Sequence, residues 1–136
     1  MSGTSLNPYL AFNGNAREAM EFYKGVLGGS LEMQTFGEAG QQMEGGDPNH
    51  IMHAHLDADE ITLMASDAMP GRPVEFGGNV SLSLQGTDAE ALGKIFEGLA
   101  EGGTVMLPLE EQFWGDTFGM LADRFGFQWM VNITKA

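Results

Sequence analysis

The chain contains no cysteine. That removes a disulfide framework, a thiolate zinc site and a cysteine nucleophile, and with them any reading of redox compartment. Basic residues are scarce: 6 Lys+Arg stand against 19 Asp+Glu, a formal net charge of −13 over 136 residues. Such a balance repels phosphate backbones and anionic lipid, so nucleic acid and membrane surfaces are excluded as partners. It would attract a cationic ligand. No run approaches the ~18 apolar residues of a membrane-spanning helix. Met1-Ser2-Gly3-Thr4-Ser5 has no basic stretch leading into an apolar one. That predicts a protein without a signal peptide, located in the cytoplasm. What is present is 43% hydrophobic residues, enough for the core of one domain, and 20 glycines that punctuate it.

Periodicity divides the chain into two similar halves. Leu6 to Phe12 reads as a strand, with Pro8 at an edge or first-residue position. Asn15 and Glu18 are spaced as a capping box, and Ala16, Ala19, Met20, Tyr23, Val26 and Leu27 share one helical face. Gly28-Gly29 supplies the stop. A strand around Leu31 to Phe36 follows, then a polar loop, Gly37 to Asn49, long enough for a lid or a partner surface. Ile51 to Leu56, the turn Asp57-Ala58-Asp59-Glu60, and Ile61 to Ser66 make a strand pair. Met69-Pro70-Gly71-Arg72-Pro73 is a linker. The same grammar then repeats. Asn79 to Gln85 alternates as a strand, and Thr87 with Glu90 forms a second capping box. Leu92, Ile95, Phe96 and Leu99 form a helical stripe that Gly102-Gly103 ends. Val105 to Leu109 is a strand, and Phe118 to Ala122 with Phe127 to Ile133 closes a hairpin around Asp123-Arg124-Phe125-Gly126. The half-modules are therefore about 1–68 and 74–136, joined by 69–73. Neither buries its apolar face alone, so two in one domain are physically reasonable. Met20, Met33, Met52 and Met106 read as core filler.

Several stretches carry a resemblance. They are Leu6 to Asn15, Ala19-Met20-Glu21-Phe22-Tyr23, Ile51-Met52-His53-Ala54 and Leu63-Met64-Ala65-Ser66-Asp67. To these are added Phe113-Trp114-Gly115-Asp116-Thr117-Phe118-Gly119 and Asp123-Arg124-Phe125-Gly126-Phe127-Gln128-Trp129, the most specific of them. Over nearly its whole length the chain resembles the PhnB-like branch of the glyoxalase/bleomycin-resistance/dioxygenase (vicinal oxygen chelate) superfamily. The resemblance implies an α+β fold of two tandem βαβββ modules. These would form a curved mixed sheet of about eight strands around a concave cleft, with the helices outside. It also implies a homodimer, because such sheets leave edges that pairing covers. Metal-using members place one ligand on each of four strands, and those positions fall here on Pro8, Thr62, Asn79 and Met130. Proline and methionine do not serve a hard metal, and the other two are weak donors. No metal and no other cofactor is therefore expected.

His53 and His55 alternate on one strand and so share a face. They are the candidates for a shifted metal or acid–base site, or for hydrogen bonding across a sheet. Alternation puts Val80, Leu82, Leu84, Trp129, Val131 and Ile133 beneath the helices. The opposite faces take Thr62, Met64, Ser66, Asn79, Ser81, Ser83, Gln128, Met130 and Asn132. Hydroxyls, amides, imidazoles and thioethers suit a small-molecule pocket. Trp114 is placed either to roof it or to anchor a loop, and Asp116 either to hold a polar or cationic group or to cap a turn. Asp67 reads as a turn cap. No carboxylate pair, catalytic triad or phosphate-cradling loop is visible. The ligand-binding set is therefore Thr62, Met64, Ser66, Asn79, Ser81, Trp114, Asp116 and Met130. The expected function is metal-free binding of a small organic molecule, cationic or aromatic. The alternative is a lyase-, isomerase- or transferase-type enzyme working through His53 and His55. A regulatory role with 37–49 as a partner surface is a third reading.

Overall fold

The computed structural model describes residues 5–40, 45–75, 77 and 79–135. Met1 to Thr4, on which the missing-leader reading rests, and positions 41–44 of the long loop lie outside them. The elements follow as β1 (Tyr9–Phe12), α1 (Ala16–Leu27), β2 (Ser30–Thr35), β3 (Ile51–Ala58), β4 (Ile61–Asp67), β5 (Leu82–Gly86), α2 (Ala89–Ala100), β6 (Thr104–Glu111), β7 (Thr117–Ala122) and β8 (Gln128–Ile133). The chain divides into two compact units, Met1–Glu75 and Phe76–Ala136. Each contains one four-stranded sheet, in the order β1-β4-β3-β2 or β5-β8-β7-β6. In both, the first strand pairs parallel with the last, and the remaining pairs are antiparallel. This is the expected α+β fold of two βαβββ modules, its eight strands arranged as two mixed sheets.

Each helix forms because one stripe of it is apolar. In α1, Ala16, Ala19, Met20 and Tyr23 are buried, and the helix packs on β2, β3 and β4. The sheet contributes Phe12, Leu56 and Leu63 to the same unit's core, all essentially inaccessible. In α2, Phe96 and Leu99 are buried above Leu121, Trp129 and Val131. The double glycines do more than stop helices. Gly29 has φ +90°, and a Cβ there would collide with the Asp57 carbonyl and lie 2.7 Å from the Ala58 Cα. Gly103 presses in the same way on the Ala122 carbonyl and the Asp123 backbone. In each module the strand after the helix therefore enters against the end of its neighbour.

The caps differ from the expectation. Asn15 makes no side-chain cap bond. Asp67, at the end of β4 and 3% exposed, takes that role. Its Oδ1 accepts from the Gly14 and Ala16 N–H groups at 2.9 Å each, and its Oδ2 from the Ile51 N–H at 2.8 Å. A charged carboxylate is a stronger acceptor than the Asn15 amide. In α2 the cap is Asp88, accepting from the Ala91 N–H, and not Thr87. Asp123 organises the second module's hairpin. Its Oδ1 accepts from the Phe125 and Phe127 N–H groups, and its Oδ2 from the Trp129 Nε1–H at 2.9 Å.

Two core assignments are corrected. Val80 lies ahead of β5 and is 71% exposed, not under a helix. Met106 is 44% exposed. It sits on the edge strand β6, where the register shifts between Val105 and Leu107, so strict alternation does not hold there. Met20 is buried, whereas Met33 and Met52 are half-buried.

Candidate functional site

In the first unit's sheet one face carries α1 and the other is open. Ala54, Leu56 and Ala58 of β3 are buried on the helix side, which leaves His53, His55 and Asp57 on the open side. Pairing brings further residues to that side. Glu32 lies opposite His55 and Gln34 opposite His53. On the other flank Met64 lies opposite His55 and Thr62 opposite Asp57. Tyr9 pairs with Met64 and Ala11 with Ser66.

Tyr9, His53, His55, Asp57 and Thr62 form a polar row across three strands, β1, β3 and β4. The Tyr9 hydroxyl and His53 Nδ1 are 3.0 Å apart. The His53 and His55 ring centroids are 6.4 Å apart. His55 Nε2 meets Asp57 Oδ1 at 3.2 Å, and the Thr62 hydroxyl donates to the same oxygen at 3.4 Å. A hollow of ≈450 Å³ lies over the β3 part of the row and the neighbouring β2, lined by Glu32, Met33, Gln34, His53, His55 and Asp57. The bond to Tyr9 engages Nδ1 of His53, so Nε2 is its nitrogen for proton exchange or a ligand bond. Asp57 fixes the His55 ring from the Nε2 side. The row can therefore donate and accept protons, stack on a flat group and attract a cation.

Of the expected ligand-binding residues, Thr62, Met64 and Ser66 share this face with both histidines. The second unit places Met130 on its own sheet's open face, beside Ser83 and opposite Met120. The Ser81 hydroxyl donates to Gln128 Oε1 at 3.3 Å. Asn79 is exposed ahead of β5. Asp116 is engaged, its Oδ2 accepting from Asn132 Nδ2 at 3.1 Å. Its backbone carbonyl accepts from the Gln112 N–H, which closes the β6–β7 loop. Trp114 is 49% exposed and stacks edge-on with Phe113 and Phe118, so it does not anchor that loop in a core.

The residues at the four positions where the resemblance would place metal ligands do not fit a divalent ion. Pro8 offers only its carbonyl, which accepts from the Met64 N–H at 3.1 Å. Strand alternation puts Tyr9, not Pro8, on the open face, and its hydroxyl is committed to His53. The Thr62 hydroxyl is committed to Asp57, and Met130 is a soft thioether. Among the described residues no group of three or more His, Asp or Glu side chains is placed to hold a metal.

Sequence reasoning missed Tyr9, Glu32, Gln34 and Asp57. Alternation along β2 would have supplied Glu32 and Gln34. Asp57 was assigned to a turn because β3 runs two residues further than its apolar pattern. Meanwhile several residues that carry the resemblance hold backbone. The Asn13 amide donates to the Val74 carbonyl at 3.0 Å and accepts from the Val74 N–H at 2.7 Å. Asp67, Asp123 and Trp129 are committed as described above.

A model of the 3-demethylubiquinone-9 3-methyltransferase family matches residues 4–132. Protein YjdN of Escherichia coli is 32% identical, over 96% of this chain and 95% of its own. The crystal structure of protein PA1353 from Pseudomonas aeruginosa is 43% identical, covers 98% of this chain and 100% of its own, and superposes with a TM-score of 0.86. A glyoxalase/bleomycin resistance protein/dioxygenase family enzyme from Burkholderia phytofirmans covers 93% of this chain and 96% of its own. At 14% identity and a TM-score of 0.59 it shares the fold.

Proposed function

The chain belongs to the 3-demethylubiquinone-9 3-methyltransferase family, and on that footing we propose that it binds a small aromatic or cationic organic molecule, without a metal, on the open face of the first unit's sheet. The observation that carries this is the row from Tyr9 to Asp57. Tyr9 and the imidazoles of His53 and His55 offer flat surfaces, and Glu32 and Asp57 place two carboxylates beside them. Stacking and charge then act on one ligand. The net charge of −13 adds a long-range attraction of the same sign. No methyl donor is needed. The protein is proposed to work as a homodimer in the cytoplasm.

Fluorescence titration with proflavine, a cationic aromatic probe, tests the reading. Saturable binding is expected. The double variant Glu32→Gln/Asp57→Asn should weaken it about fivefold, since two partly exposed charges contribute about 0.5 kcal/mol each. Equal affinity for both proteins, or no saturation, overturns it.

A second reading is acid–base catalysis of a lyase, isomerase or transferase type. The Tyr9–His53 and His55–Asp57 contacts favour it, because each imidazole is held by a partner at one nitrogen. Turnover of any substrate that His53→Ala abolishes would put this reading first. Metal analysis of protein purified without a His tag separates the two chemistries. A stoichiometric divalent ion lost on His53→Ala would replace metal-free binding by a metal-assisted site.

A further inference from the structure

The first unit has another hollow, which shares no lining residue with the one over His53 and His55. It encloses ≈380 Å³ between the turn into α1, Phe36 with residues 45–50, and the segment after β4. That volume lies in the range of small-ligand pockets. Its apolar walls include Phe36, Pro48, Pro70 and Pro73. Three of these are prolines, whose side chains have little entropy to lose on binding. The walls are held in place by other bonds. Asn13 ties the segment after β4 at Val74, and the Gly37 N–H donates to the Pro48 carbonyl at 2.9 Å.

The polar groups of this hollow define what it would accept. Among its described lining residues there is no lysine or arginine. The start of α1 is close by, but its Gly14 and Ala16 N–H groups already donate to Asp67. An anion therefore finds no permanent cation among the described lining residues, only His50 with Asp47 beside it, and two fewer donors. Asp47 lines the hollow. Its Oδ1 accepts from the Asn49 N–H at 2.8 Å, and its Oδ2 has His50 Nε2 at 3.6 Å, an ion-pair distance that forms no hydrogen bond and leaves Oδ2 room to accept one. Oδ2 can therefore accept from a ligand N–H. We propose that this hollow is a second binding site, for a small aromatic amine or nitrogen heterocycle. Its ring packs against Phe36 and the prolines, and its N–H donates to Asp47.

Amide chemical-shift mapping of the whole chain with benzylamine, and with benzoate as the anionic counterpart, tests this. Benzylamine should shift Gly14, Phe36, His50, Ala68 and Gly71 saturably, and benzoate should not. Ala68→Phe, which fills the hollow, should abolish those shifts. The exposed change Asp47→Asn should weaken benzylamine about threefold. The amide spectra of both variants report directly that they fold. Equal binding of benzoate, no saturable shift at these amides, or shifts that survive Ala68→Phe would overturn the proposal. Benzylamine shifts confined to the His53 and His55 amides would overturn it too, while leaving the proposed function standing.

Discussion

Replacing Asp67 with alanine removes one side chain and three hydrogen bonds. One caps α1 at Ala16, one holds Gly14 in the turn ahead of the helix, and the third holds the first residue of β3. All three donors are backbone N–H groups, and Asp67 is 3% exposed, so water does not readily replace the lost acceptor. Charge-assisted bonds at about 1.5 kcal/mol each give about 4–5 kcal/mol gross. Removing the buried carboxylate also removes its desolvation cost, which leaves a net loss of about 3 kcal/mol. Asp67→Asn can keep Oδ1 on Gly14 and Ala16 but sets an N–H₂ group against the Ile51 N–H. It should cost about 2 kcal/mol. Both tryptophans, Trp114 and Trp129, lie in the second unit, so tryptophan fluorescence does not follow the first. Urea unfolding is better read at the Ala16 and Ile51 amides by NMR. With a slope of about 2 kcal/mol per molar, the alanine midpoint should fall by about 1.5 M. A midpoint within about 0.3 M of the parent protein would refute the capping role and the magnitude together.

Gly29→Ala should lower the melting temperature sharply. It adds about 1–2 kcal/mol for the left-handed backbone to a collision with the Asp57 carbonyl, and a variant that melts as the parent does would contradict that geometry. Asp116→Ala removes one half-buried side-chain bond to Asn132 and should cost under about 1 kcal/mol by urea titration, well below Asp67→Ala. Glu38 is held below the usual glutamate range by the Thr35 N–H, then by the Thr35 hydroxyl. Its folded value is below its unfolded one, so its contribution is present above the unfolded value and fades as pH falls through the folded one. A ¹³C titration of Glu38 should show the low midpoint, and Thr35→Val, which removes the hydroxyl but keeps the N–H, should move it part of the way up. Light scattering should find a dimer, and a 14.6 kDa particle at micromolar concentration would refute that expectation.

The order of strands and helices was readable along the chain because its signals are local. Ala16, Ala19, Met20 and Tyr23 recur at the spacing of a helix face, and His53 with His55 at that of a strand. Gly28-Gly29 and Gly102-Gly103 mark where each helix must end. The expectations that went astray were also local, but they rested on uninterrupted alternation. The register shift in β6 left Met106 exposed, and β5 begins after Val80. The register of β1 put Tyr9 where Pro8 had been expected.

What the linear pattern did not show is which partners the polar side chains meet. Asp67 was expected to cap a turn beside it, yet it caps a helix 51 positions upstream. Asn13 reaches 61 positions forward to Val74. The polar row needs Tyr9, His53, His55, Asp57 and Thr62 on neighbouring strands. The last strand of the module therefore has to lie between the first and third. Composition and period express the preferences of single residues for helix, strand, turn or core. A hydrogen bond between distant residues exists only once strand order and register have brought its donor and acceptor within about 3.5 Å, and that is settled by packing the whole module.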